Sequence, residues 1–102
     1  MKKQDDRTAA IYHALAGQFP ALDHRPKEVV YAYNPVAIRV RVVDESFEGQ
    51  SYFQRHRRVM KALSSLPEEI VGDITMVLAL TEREKQQNLV NLEFDDPSRS
   101  RL

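Results

Sequence analysis

The sequence predicts an α+β fold. The expected core is a three-stranded mixed sheet, an antiparallel hairpin plus a parallel third strand, with helices packed on one face in the order α-β-β-α-α-β-(α). Three observations carry this reading. An amphipathic stretch opens the chain, two strand-like runs follow with only Asn34-Pro35 between them, and a capped helical stretch leads back to the apolar run DITMVLAL. Two short strands joined so tightly run antiparallel. A strand reached through helices lies parallel to its predecessor, by a right-handed crossover.

The first element, DDRTAAIYHALAGQF, reads as a helix capped by Asp5 or Asp6, with Ile11, Leu15 and Phe19 at a spacing of four on one face. Gly17 offers it a left-handed exit, and His13 falls on its flank, an ordinary surface position. A polar loop with Pro26 leads into KEVVYAY and VAIRVRVV. In the second run Ile38, Val40 and Val42 share one face while Arg39 and Arg41 point the other way. Phe47-Glu48-Gly49 then forms a turn, with Gly49 free to take a positive φ.

Ser51 and Gln54 make an S-x-x-Q capping box that starts a helix at Tyr52. A helical wheel groups Phe53, His56, Met60 and Leu63 as a core stripe, with Val59 at its edge, and sets Gln54, Arg57, Arg58 and Lys61 on a wet face. Ser65 to Glu68 is a second capping signal, with Pro67 at the first helical position of a short helix that ends near Gly72. DITMVLAL reads as the third strand, more continuously apolar than the others. Thr81 to Glu84 repeats the capping pattern, so TEREKQQNLVNL is read as a closing helix, although Val90, Leu92 and Phe94 alternate as a strand would. Residues 1–94 are expected to form one domain and 95–102 a disordered tail.

Fifteen basic residues balance fifteen acidic ones, so no global field draws the chain to nucleic acid or to an anionic membrane. There is no cysteine, which removes disulfides, thiol nucleophiles and thiolate metal ligands. MKKQDDRTAA lacks the apolar core of a signal peptide, and the longest apolar run, Met76 to Leu80, is too short to span a bilayer. A cytoplasmic location is therefore expected.

The richest stretch is SFEGQSYFQRHRRVMKAL, where a histidine sits among three arginines. Three readings compete for it. In the first, His56 is a buried or half-buried histidine whose ring bonds a backbone carbonyl, Arg57 and Arg58 solvate the helix, and Arg55 pairs with an acid such as Asp44, Glu45 or Glu48. In the second, Gly49, the free N–H groups at Ser51 and Arg55 or Arg58 hold a phosphate, and Arg57, Arg58, Lys61, Arg39 and Arg41 extend it into a nucleic-acid surface. Against an RNA clamp, the link between the paired helices, Ser64-Ser65-Leu66-Pro67, has no glycine. In the third the cluster serves a metal or catalysis. Yet His13, His24 and His56 are the only imidazoles and none stands at a ligand spacing from another. No serine, histidine and acid form an evident triad pattern either, so neither an enzyme nor a metal site is expected.

The segment VVDESFEGQSYFQRHRRVMKAL resembles the signature of the BolA family, close to V-V-S-x-x-F-x-G-x-S-x-x-x-R-H-R-x-V-x-x-x-L. Val42, Val43, Phe47, Gly49, Ser51, Arg55, His56, Arg57, Val59 and Leu63 fall in register, and the element order also matches that family's class II KH-like fold. The resemblance implies a non-enzymatic adaptor linked to monothiol glutaredoxins, shared iron–sulfur clusters and iron homeostasis, with DNA binding and transcription regulation in some bacterial members. It also implies two cluster ligands, a third-strand histidine and a histidine or cysteine in the first hairpin. Here Thr75 stands at the first position and the hairpin link is Asn34-Pro35. Iron–sulfur clusters take thiolate or imidazole, so no cofactor is expected. The expected partner is a protein, a monothiol glutaredoxin by family likeness, with nucleic acid as the alternative through Arg55 to Lys61. The chain itself is expected to be a monomer or weak dimer.

Overall fold

The computed structural model describes residues 2–97. Helix α1 (Asp6–Gln18) is followed by a 3-10 turn at Pro26–Glu28, then strands β1 (Val30–Asn34) and β2 (Ala37–Val43). A second 3-10 turn at Glu45–Phe47 leads to α2 (Tyr52–Ala62), α3 (Glu68–Gly72) and β3 (Ile74–Leu80), and the chain closes with α4 (Glu82–Gln87) and α5 (Val90–Asp95). Three strands form one sheet in the order β1-β2-β3, with β1 antiparallel and β3 parallel to β2. This is the mixed α+β sheet that the sequence predicts.

Local chemistry explains most boundaries. Asp5 caps α1 by accepting from the backbone N–H groups of Arg7 and Thr8, while the Thr8 hydroxyl accepts from the Asp5 N–H. At the other end, Gly17 lies inside the helix and Gly49 alone among the described residues has positive φ (+80°), so the left-handed exit expected at Gly17 is not used. Helix α1 ends instead at Phe19, whose N–H still bonds Leu15 O. Lys27 and Glu28, expected in the first strand, are part of the 3-10 turn, because Pro26 at its start fixes φ for a helical turn. At the hairpin, Asn34 Oδ1 accepts from Val36 N–H and the Arg7 guanidinium donates to Pro35 O, which pins the link to the start of α1.

Ile38, Val40 and Val42 of β2 are fully buried with Ile11, Leu15, Phe19, Phe47, Val59 and Leu63, so the core lies between the sheet and helices α1 and α2. Helix α5 lies against the other face. There Tyr31 of β1 meets Phe94 with ring centroids 4.9 Å apart, and Arg41 of β2 is only 2% exposed beneath α5. The closing segment is helical, as preferred over a strand, but it is broken into α4 and α5 at Asn88-Leu89. Asp95 completes α5 and Pro97 is buried, so ordered structure runs past the expected boundary at 94. Residues 98–102 of the expected tail lie outside the described residues. Among the described residues no helix is long and apolar enough to cross a membrane.

Candidate functional site

Helix α2 carries the residues singled out above. Gly49, at φ +80°, turns the chain into it, and the capping box forms as expected: Ser51 Oγ accepts from Gln54 N–H at 3.1 Å and Gln54 Oε1 accepts from Ser51 N–H at 2.8 Å. That second bond matters for the phosphate reading. The Ser51 N–H, the donor meant to face an anion, is already taken.

The helix is rotated relative to the expected stripe. Its buried residues are Val59 and Ala62, with Leu63 buried at its C-cap, all toward the C-terminal end, while Phe53 is 64% exposed and His56 and Met60 are half-buried. His56 stacks on the exposed Tyr52 ring, with centroids 5.8 Å apart and planes at 27°, rather than turning into the core. The stripe moved because burial needs a facing element, and α2 packs against α1 and β3.

Two of the three arginines face inward. Arg55 donates from Nε to Gln50 O (2.9 Å), from Nη1 to Ala79 O (3.1 Å) and from both Nη atoms to the Glu84 carboxylate. None of the expected partners, Asp44, Glu45 or Glu48, forms that pair. Instead Glu45 Oε2 accepts from the Glu82 N–H and Asp44 Oδ1 from the Ser46 N–H. The Arg55 guanidinium and the Thr81 N–H bond hold the Glu84 carboxyl well down, to about 2. Arg58, expected on the wet face, packs over the rings of Phe47 (4.8 Å) and Phe19 (5.4 Å) and donates to Ser46 O, Ser46 Oγ and Gln50 Oε1. Only Arg57, lying 4.9 Å over the Phe53 ring, and Lys61 stand exposed.

The additional basic surface expected from Arg39 and Arg41 is also corrected. Arg39 pairs with Glu93 and stacks 4.2 Å over Tyr33, and Arg41 donates to Asp95 Oδ1 at 2.8 Å and to Asn91 Oδ1 at 3.1 Å. Alternation placed both on the far face correctly, but that face is covered by α5 rather than water. The strand arginines and the helix arginines thus lie on opposite faces of the sheet and form no joint patch.

Sequence reasoning missed the anionic halves of these pairs. Glu84 was legible only as a capping residue, and Glu93 and Asp95 carried no signal because their partners lie more than fifty residues away. The carboxylates held lowest, Glu84 and Asp23 (each at about 2, Asp23 beside Arg25), are shifted in the direction of structural ion pairs, away from the range a general acid needs.

A shared iron–sulfur cluster does not fit the residues present. Thr75 is the extra residue of a bulge opposite Ile38 and Arg39, and its hydroxyl donates to Ile38 O. Asn34 spends its carbonyl on the turn. No group of three or more His, Cys, Asp or Glu able to hold a metal forms among the described residues. Alcohol and amide oxygens are poor donors for such iron.

A protein-family model described as "BolA-like protein" matches residues 22–74. The solution structure of BolA1 protein from Mus musculus superposes with a TM-score of 0.59 at 28% identity, covering 86% of this chain and 74% of that one. No match was found among curated proteins. The matched segment runs from the end of the α1 loop to the start of β3, spanning the hairpin, the Gly49 turn and all of α2; with the shared architecture, it establishes that this chain belongs to the BolA-like family.

Proposed function

We propose that this BolA-type domain is a non-enzymatic adaptor that binds a protein partner through the exposed first turns of α2. The expected partner class is a monothiol glutaredoxin, bound without a shared cluster. One observation supports the reading above the others: Tyr52 and Phe53 stand 74% and 64% exposed on a helix whose Arg55 and Arg58 turn inward. Two aromatic rings beside His56, Arg57 and Lys61 give an apolar centre with a cationic rim, the composition of a protein interface. Nucleic-acid binding through this helix retains just Arg57 and Lys61 of its proposed cations, too few for a strong phosphate contribution.

The test is calorimetric titration with a monothiol glutaredoxin, both apo and cluster-loaded, with nuclease present. Saturable binding is expected, weakened about tenfold or more by Tyr52→Ala with Phe53→Ala, and the visible spectrum of the loaded partner is expected to stay unchanged. Absence of binding would remove the partner assignment. A spectral change that requires His56 would overturn the cluster-free mode. Salt-sensitive binding of DNA or RNA lost in Arg57→Ala would replace the protein partner with nucleic acid.

A further inference from the structure

We propose that the far face of the sheet is a second binding site, for acidic peptide segments bearing an aromatic residue, and that α5 occupies it in cis as a displaceable strap. The arrangement is that of a bound ligand. Phe94 sets its ring edge-on to Tyr31, the Arg41 guanidinium lies 4.4 Å over that ring, and the Tyr31 hydroxyl donates to Phe94 O at 2.7 Å. The residues on either side supply carboxylates: Glu93 takes Arg39 and Asp95 takes Arg41. A single helical turn thus delivers carboxylate, ring and carboxylate to two guanidiniums and a phenol spaced along adjacent strands.

The determinants on the receiving side belong to the sheet. Arg39 and Arg41 project from the central strand two residues apart, and Arg39 is braced on Tyr33. Glu28 answers part of the Arg41 charge, through its carbonyl at 3.2 Å and its carboxylate at 3.5 Å. That pair is long, and Arg41 Nη1 turns to α5 for closer acceptors, Asp95 Oδ1 at 2.8 Å and Asn91 Oδ1 at 3.1 Å, as a buried guanidinium is costly unless paired and hydrogen-bonded.

The strap is poorly built to stand by itself. Helix α5 has six residues, its N-cap Leu89 makes no side-chain hydrogen bond and only Asn88 Oδ1 accepts from the Val90 N–H, at 2.8 Å, so away from the sheet it is too short to persist as a helix. It is joined to α4 by Asn88 and Leu89 and by Asn91 Nδ2, which donates to Lys85 O at 2.7 Å, and its outer side leaves Leu89, Val90 and Leu92 exposed (79%, 44% and 57%). An incoming segment with the same carboxylate–aromatic–carboxylate turn can replace it without disturbing the core beneath α1 and α2. Tethering keeps the strap at an effective concentration on the order of millimolar. The free site is thereby masked, and its apparent affinity is reduced by the fraction of time it stands open.

The test uses the full chain and a fluorescent peptide of residues 88–97, NLVNLEFDDP. Phe94→Ala in the chain removes the ring of the cis strap, so this variant should bind the peptide about tenfold or more tightly than the wild type. Binding should weaken as salt rises and be lost when Arg41→Met is added. Should Phe94→Ala fail to fold, Asp95→Asn at the half-exposed end of the strap gives the same comparison, and saturating peptide should speed amide exchange of residues 90–95 in the wild type. Equal binding by wild type and a folded strap variant, no binding by that variant, or binding indifferent to Arg41 would overturn the proposal. Displacement of the peptide by a short oligothymidylate would assign the face to single-stranded nucleic acid and overturn the peptide class.

Discussion

The contact between Arg55 and Glu84 makes the sharpest quantitative prediction, because it joins three elements at once. Arg55 sits 12% exposed at the start of α2 and reaches the C-terminal end of β3 at Ala79 O and the first turn of α4 at Glu84, whose carboxylate also accepts from Thr81 N–H. Replacing Arg55 by Met keeps an unbranched apolar stem and removes every donor. The gap between a carboxyl at about 2 and its ordinary 4.5 corresponds to roughly 3 kcal/mol at 1.36 kcal/mol per pH unit. Because the Glu84 side chain is 36% exposed, water screens the pair, and about 1–2 kcal/mol is the better figure. The donors lost from two carbonyls add about 1 kcal/mol. Arg55→Met should therefore destabilise by about 2–3 kcal/mol, a fall in Tm of about 10–15 °C for a domain of this size.

A double-mutant cycle with Glu84→Gln isolates the pair, since Gln keeps an acceptor for the Thr81 N–H. Urea denaturation at pH 7 should give a coupling of about 1–1.5 kcal/mol. The sign of its pH dependence follows from a carboxyl lowered on folding. The stabilisation is complete above the unfolded value of 4.5 and is lost as pH falls toward the folded value of about 2. More than half of the coupling should be gone at pH 3. A coupling below about 0.3 kcal/mol at pH 7, or one that does not shrink with acid, would refute the reasoning.

Other substitutions test the remaining structure by urea or thermal denaturation. Gly49→Ala should destabilise by about 1–2 kcal/mol, because φ of +80° strains any L side chain although open space surrounds the new methyl. Gly17→Ala should do the reverse, stabilising by about 0.5–1 kcal/mol, since that residue is helical and unobstructed. Arg58→Ala should lose about 1–2 kcal/mol through its packing on Phe19 and Phe47 and its hydrogen bonds, while its exposed neighbour Arg57→Ala stays within about 0.5 kcal/mol. Phe47→Ala, which empties a fully buried site, should lose about 3–5 kcal/mol.

What was legible in the sequence is what neighbouring residues decide among themselves. The capping boxes at Ser51 and Thr81, the glycine turn and the alternation of β2 each involve residues within a few positions, and each formed as expected. The orientation of α2 was not legible. A wheel ranks Phe53 with Leu63 by hydrophobicity, but burial goes to the residues with something opposite them, here Val59, Ala62 and Leu63. The arginines misled for a related reason. Charge suggests water, yet Arg41 is covered because Asn91 and Asp95, fifty and more residues later in the chain, arrive on the same face. Balanced composition concealed this, since equal numbers of acids and bases fit either a solvated surface or a set of internal pairs.

Those pairs also divide the domain mechanically. The apolar core draws its residues from α1, the hairpin, the Phe47 turn, α2 and the flanking segments, and neither α4 nor α5 contributes a residue to it. The closing helices are tied on instead by guanidiniums: Arg55 holds Glu84 of α4, and Arg39 and Arg41 hold Glu93 and Asp95 of α5. Hydrophobic burial is non-directional and spread over many side chains, so the core loses stability gradually as single residues change. A helix fixed by one ring, two ion pairs and the polar bonds of Asn91 and Tyr31, with no residue in the apolar core, can detach while that core stays folded. Local opening of this kind is expected where buried apolar contacts are few. A chain whose core is weakened through Phe47→Ala and a chain merely unstrapped through Phe94→Ala should consequently differ in kind. The first should lose amide protection throughout the sheet and α2. The second should lose it in residues 90–95 while Val40 and Val59 remain protected, and simultaneous loss at both places would show that α5 is part of one cooperative unit with the core.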